Sequence, residues 1–292
     1  MIIKNKFCVT YATQEAQKKA FVYFTRNYKL ITDHNDKYNK GEKSYKLGLW
    51  DKSDMNYVDI YNRLNALEPS IMLQLFNEQI LECTNEVTNN DDTTLPEVKG
   101  RISDKPIRNK KPPESRDWTH TLPPVGDQGF KCGSCWTFTS VAVIESHYYI
   151  RYNKTIELSE QYLVDCVPYG CKGGHYYDAI DYIRRNGIID GNYLYTGVQG
   201  TCPTENQKSP LQVTGFIYFP TSDEEKLKTI VGNVGPVAVG VDGSLDTFLL
   251  YQTGIYYDER CTSNVNHAVT IVGYGTENET DYWLIRNSWV NK

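Results

Sequence analysis

Residues 128–136 read Gln-Gly-Phe-Lys-Cys-Gly-Ser-Cys-Trp and run into an apolar stretch, Trp136, Phe138, Val141, Ala142, Ile144, Tyr148 and Tyr149. The pattern predicts a loop that presents the Cys135 thiol at the first turn of a buried helix. A helix N-terminus carries partial positive charge and favours an anion, so a lowered thiol pKa is expected there. Thiolate, not thiol, is the attacking species. Cys132-Gly133-Ser134-Cys135 is also a Cys-x-x-Cys, the spacing of a redox dithiol or of half a zinc site. A redox pair wants a small βαβ unit around it, and a zinc site wants a second Cys/His pair at short spacing. Neither context stands in the sequence, and this tetrapeptide by itself leaves the three chemistries open.

The downstream residues decide between them. His267 follows Cys135 by 132 positions, in Asn266-His267-Ala268-Val269 ahead of Gly273-Tyr274-Gly275. Asn287 follows it by 152, in Asn287-Ser288-Trp289 behind an apolar run. With Cys-Gly-Ser-Cys-Trp, these motifs in this order resemble the papain-family (cathepsin L-like) cysteine peptidases. The resemblance extends over residues 15–289.

That resemblance implies a cysteine endopeptidase made as a zymogen, with no metal and no cofactor. Cys135 would be the nucleophile, His267 its base and later acid, and Asn287 the group that orients the imidazole, shielded by Trp289. The Cys135 backbone N–H and the Gln128 side chain would face the oxyanion. Gln128 stands seven positions before Cys135, where the family has six; the extra residue falls within Phe130-Lys131 and predicts a bulge. Gly173 and Gly174 would offer bare backbone to an extended substrate, although the residues alone also read as a plain turn. By resemblance, His175, Tyr176, Val237, Val265 and Ala268 line the pocket for the side chain second from the cut and favour an apolar or aromatic occupant. Disulfides Cys132–Cys171 and Cys166–Cys202 are implied. Cys261 would pair beyond Lys292 and is expected free; Cys8 and Cys83 have no assignment. The family continues past Lys292 with further strands, so the last barrel strands are expected to be missing. A competing reading is a weakly active or inactive homologue whose leading segment binds and inhibits other peptidases.

Around these residues the chain divides into three. Residues 1–84 read as a mainly helical inhibitory prodomain, 85–111 as a propeptide linker and 112–292 as the peptidase domain. Ala20, Phe24, Asn27, Ile31 and Asn35 recur at helical steps within 14–39, and the last four resemble the long propeptide helix of cathepsin L-like zymogens. Residues 44–49 read as extended. Gly48 and Asp54 then match the family's Gly-x-Asn-x-Phe-x-Asp signature, with Trp50 and Lys52 where Asn and Phe would stand. Residues 85–113 have linker composition, and 108–111 offer an accessible place to cut. A helix to about Tyr152 and a short one near 158–166 are followed by strands at 213–219, 236–241, 266–272 and 281–286, with a capping box at Ser222-Asp223-Glu224-Glu225. Helices first and strands afterwards make an α+β protein: a papain-like helical lobe and β-barrel lobe, with the cleft between them.

The 292 residues are enough for about two compact units. Net charge is −5, which does not point to a nucleic-acid partner. Residues 1–111 hold 18 Lys/Arg and 15 Asp/Glu, while 112–292 hold 13 and 21. A basic leading segment on an acidic body is therefore one reading; two solvated surfaces of different charge is the other. No apolar run reaches the 18 residues of a membrane span. Six of eight cysteines lie between 132 and 261, and sequons stand at Asn153 and Asn278, which fits an oxidising route to the lysosome or outside, though Met1–Phe7 has no secretory apolar region. The expected partners are polypeptide substrates and the chain's own prodomain, acting on a monomer.

Overall fold

The computed structural model describes residues 10–57, 59, 111–203, 209, 211, 213–216 and 223–289. Cys8, Cys83 and nearly all of the expected linker lie outside the described residues. Helix α1, Gln14–Asn39, opens where the Ala16 N–H donates to Thr13 Oγ1 and closes where the Lys40 N–H returns to Asp36. Its buried line is Ala20, Phe24, Asn27, Ile31 and His34. The expected fifth position, Asn35, sits half-buried beside His34. Their polar groups are committed to backbone. Asn27 Nδ2 donates to the Ser53 and Met55 carbonyls at 2.9 and 3.3 Å. His34 Nε2 lies 2.9 Å from the Tyr45 carbonyl. The Asn35 amide bonds both main-chain groups of Leu47, each at 2.9 Å.

Those bonds hold β1, Tyr45–Leu47, against the helix and leave its other edge free to pair with β4, Tyr251–Gly254. Gly48 extends the contact by donating to the Leu250 carbonyl at 2.8 Å. Tyr45, Leu47 and Trp50 share a buried cluster with Leu249, Leu250 and Trp289. Main-chain pairing and apolar packing join these two segments.

The helical lobe comprises α2, Cys135–Tyr152, α3, Glu160–Cys166, and α4, Tyr176–Asn186. Trp136, Val141, Ile144, Leu158, Tyr162, Leu163, Ala179 and Ile183 form much of its core. Ser159 caps α3 by accepting from the Tyr162 N–H. Asn153 ends α2 in the left-handed region, φ 52°, which Asn tolerates better than most residues. Disulfides join Cys132 to Cys171 and Cys166 to Cys202, and Cys135 and Cys261 are free thiols. With Cys132 bonded elsewhere, the Cys-x-x-Cys is neither a redox pair nor half of a zinc site.

The second lobe, among the described residues, is a four-stranded antiparallel sheet built on one long strand. That strand is β5, His267–Glu277; β3, Val237–Val241, and β2, Arg116–Asp117, pair with it, as does β6, Thr280–Arg286. Helix α5, Glu224–Asn233, is capped by Asp223, whose Oδ1 accepts from the Lys226 N–H at 2.9 Å, so the cap falls one residue after the expected Ser222. The strand expected over 213–219 is absent from its described part, 213–216. Leu211 and Val213 pack instead on the helical core, and tertiary burial overrides the local alternation. A short helix, α6 Asp246–Leu249, precedes β4. Asn153 and Asn278 are both exposed, the latter in the β5–β6 turn.

Between the lobes lies a pocket lined by Glu145, Glu160, Arg286, Asn287 and Ser288, among others. Glu145 is 4% exposed, and its Oε1 accepts from the Leu158 N–H at 2.9 Å. Burial pushes its carboxyl up to about 8, and that of Glu160 up to about 7, with Arg286 opposing both shifts. Arg286 itself donates to the Pro123 and Pro124 carbonyls.

Asn35→Ala leaves both Leu47 main-chain groups without their partner, and should cost about 1–3 kcal/mol in urea unfolding of residues around α1. For Glu145, both folded and unfolded chains hold the proton below the ordinary value of 4.5, whereas between 4.5 and about 8 only the unfolded chain releases it. Stability should therefore decline as pH rises through that window. Glu145→Gln, which mimics the protonated acid, should reduce the fall in melting temperature between pH 5 and pH 8 by a few °C. An equal fall in both proteins would remove Glu145 from the account.

Candidate active site

Three of the residues expected to do chemistry sit at ends of elements. Cys135 is the first residue of α2, His267 the first of β5, and Asn287 the first after β6. Helix α2 packs across β5, and this brings the two starts together. Cys135, 1% exposed, lies in a cluster with Ala268, Tyr176 and Val265. Because β6 runs antiparallel to β5, with Arg286 opposite Thr270, the chain leaving β6 arrives beside the start of β5.

The electrostatics of Cys135 differ from the expectation. Backbone groups of Ala268, Trp136 and Cys135 favour the thiolate, the last two as part of the helix N-terminus. Burial acts the other way and is larger, pushing the thiol up to about 11. Desolvation of the anion thus outweighs the helix end in this state of the chain.

His267 is fully buried, and its Nε2 lies 2.8 Å from Asn287 Oδ1. The Ser288 N–H donates to the same oxygen at 2.8 Å, which identifies it as the carbonyl side of the amide. Trp289 stacks on the imidazole, centroids 4.5 Å apart and planes 25° apart. Gly243 leaves the room this ring needs, since a Cβ there would come within 2.9 Å of His267 Cβ.

Gln128 is 1% exposed and tied to the same turn. Its N–H donates to the Ser288 carbonyl at 2.9 Å, its Oε1 accepts from Ser288 Oγ, and Nε2 approaches the Cys132 carbonyl at 3.4 Å. Tyr195 Oη donates to the Gln128 carbonyl and bonds Ser134 Oγ. In the loop that holds the extra residue, Gly129 takes φ +66°, and Phe130 packs on Trp50.

The expected substrate-facing residues divide. Gly173 has φ +103°, and a Cβ on Gly174 would lie 2.9 Å from the Trp136 ring, so both positions require glycine on local grounds. His175 is buried, stacked on Tyr177 at 4.9 Å, with burial pushing its imidazole down and Asp178 opposing. Tyr176, Val265 and Ala268 do gather at Cys135. Val237 does not. It packs with Val231, Ile271 and Tyr274 on the opposite face of β3. Gly240, which sequence reasoning missed, is paired with Ala268, and the Val265 side chain fills the space where its Cβ would be. The signal was the strand's period of two, which puts 237 and 240 on different faces.

Comparison with known proteins identifies the family. The papain family cysteine protease description matches residues 112–292, and the cathepsin propeptide inhibitor domain matches residues 4–60. The chain is 35% identical to cathepsin S of Bos taurus, over 96% of this chain and 81% of that protein. It is also 35% identical to cathepsin L of Sarcophaga peregrina, over 96% and 80%. Among solved structures, digestive procathepsin L 3 of Tenebrio molitor larval midgut superposes with a TM-score of 0.78 at 30% identity, covering 99% of this chain and 87% of that one. The recombinant stem bromelain precursor superposes with a TM-score of 0.78 at 28% identity, covering 98% of this chain and 85% of that one. The chain belongs to the papain family of cysteine proteases and carries a cathepsin-type propeptide inhibitor domain ahead of its protease domain.

Proposed function

We propose that this cysteine protease is an endopeptidase in which Cys135 is the nucleophile, His267 the base and acid, Asn287 the orienting amide and Gln128 an oxyanion donor. The observation that carries the assignment is the bond between His267 Nε2 and Asn287 Oδ1 at 2.8 Å. A carbonyl oxygen only accepts, so Nε2 holds the proton and Nδ1 is the nitrogen that exchanges one with the reacting groups. The Cys135 proton passes to Nδ1, and the imidazolium so formed offsets the burial that otherwise keeps the thiol neutral. The sulfur attacks the peptide carbonyl, and Nδ1 returns the proton to the leaving amine as the C–N bond breaks. Water, deprotonated by the same nitrogen, then cleaves the thioester and releases the acid.

Tyr176, Val265, Ala268 and Gly240 support an apolar or aromatic preference at the second subsite. The boundary between inhibitor and enzyme is assigned to the linker, with the mature domain starting near 112. Two disulfides and two exposed sequons support a lysosomal or secreted protein. No helix among the described residues is long and apolar enough to cross a membrane.

Cys135→Ser should abolish both hydrolysis of a peptide substrate and alkylation by a peptidyl electrophile. His267→Ala should lower kcat by about 10²–10⁴-fold, and Gln128→Ala by about 10²–10³-fold. Retained labelling in Cys135→Ser would transfer the nucleophile's role to another residue. A normal kcat in Gln128→Ala would show that the bulged loop has removed its amide from the oxyanion.

A further inference from the structure

Two segments far apart in sequence meet on one aromatic ring. Phe130 belongs to the loop between Gln128 and Cys132, which leads directly into Cys135. The Trp50 ring lies 5.1 Å from it, centroid to centroid, and Lys52 Nζ lies 5.0 Å from the same centroid. Trp50 and Lys52 come from the leading segment, and they are the two positions at which its signature departs from the family pattern. Phe130-Lys131 holds the extra residue of the loop. The sequence departures on both sides therefore form a single contact.

The contact is supported from beneath. Trp50 is 5% exposed, and its N–H donates to Ser53 Oγ at 2.9 Å, which fixes the backbone that carries the ring. Lys52 is held beside the Asp51 carboxylate. Phe130 and Trp50 belong to the same cluster as Leu249, Leu250 and Trp289, and Trp289 is the ring stacked on His267. Apolar contact thus runs unbroken from the leading segment to the catalytic imidazole. A phenylalanine ring suits both partners, offering apolar area to the indole and a negative face to the ammonium.

We propose that Phe130 is a receptor residue for Trp50 and Lys52, forming a latch that fastens the leading segment to the loop ahead of Cys135, in addition to the β1–β4 pairing. The latch rests on the reading of residues 10–57 as part of the chain's own inhibitor, and it makes the extra loop residue an element of inhibitor recognition.

The test uses the full chain and a fluorescent peptidyl epoxide that alkylates Cys135. Labelling rates are compared for the intact band and for enzyme freed of its leading segment by limited proteolysis, and their ratio reports latency. Phe130→Ala should raise the ratio on the order of tenfold, and Lys52→Ala about threefold. In the double variant the ratio should match Phe130→Ala alone, because Lys52 has already lost its partner. Phe130→Leu keeps apolar area without a ring, and in that background Lys52→Ala should have no further effect. Lys52 is a partly exposed residue, so its variants are expected to fold. An unchanged ratio in Phe130→Ala, or single effects that multiply in the double variant, would overturn the latch while the parent's latency still upholds the inhibitor. Equal labelling of intact and freed parent enzyme would instead overturn the inhibitor reading and the latch with it.

Discussion

The packing of α2 across β5 is the contact on which the rest of this protein depends. It sets the first residue of a helix against the first residues of a strand, so that the Cys135 thiol lies against Ala268, the residue that follows His267. Element ends suit this purpose. There the main chain is held by a cooperative ladder or helix on one side, while the terminal side chain faces outward from the last rung. The helical core around Trp136 and Tyr162 fixes one partner. The pairing of β5 along both its edges fixes the other. Asn287 needs no separate scaffold, because the antiparallel return of β6 delivers it next to His267.

Trp289 links the His267 ring to the leading segment. One face of its ring covers the imidazole, and the same residue belongs to the cluster that receives Tyr45, Leu47 and Trp50. The leading segment therefore anchors on the cluster that reaches the His267 ring. Its own order comes from α1, whose Asn27, His34 and Asn35 bond the main chain of the segment that follows. A helix that satisfied those groups with water would not hold β1 in place to pair with β4.

Burial governs the ionisable groups at the lobe interface. It outweighs the helix end at Cys135 and raises Glu145 and Glu160 together, with the nearby Arg286 guanidinium in opposition. The thiol is thereby held neutral, and the two carboxyls favour the folded chain when they are protonated. Both effects arise from one cause, the loss of water where the lobes meet.

Local pattern determined a good deal. The three-and-four spacing from Ala20 to Ile31 set α1, the run after Cys135 set α2, and the spaced motifs at 132–136, 266–275 and 287–289 identified the family and the residues to be brought together. These features depend on neighbours a few positions apart, which a linear reading can see. Tertiary structure alone decided which face of β3 looks toward Cys135, so that Gly240 and not Val237 stands there. It decided the direction of the thiol's pKa and the packing of Leu211 and Val213 on helices. It also brought Phe130 against Trp50. In each case the deciding atoms come from distant parts of the chain, and desolvation, strand register and aromatic contact exist only once those parts have met.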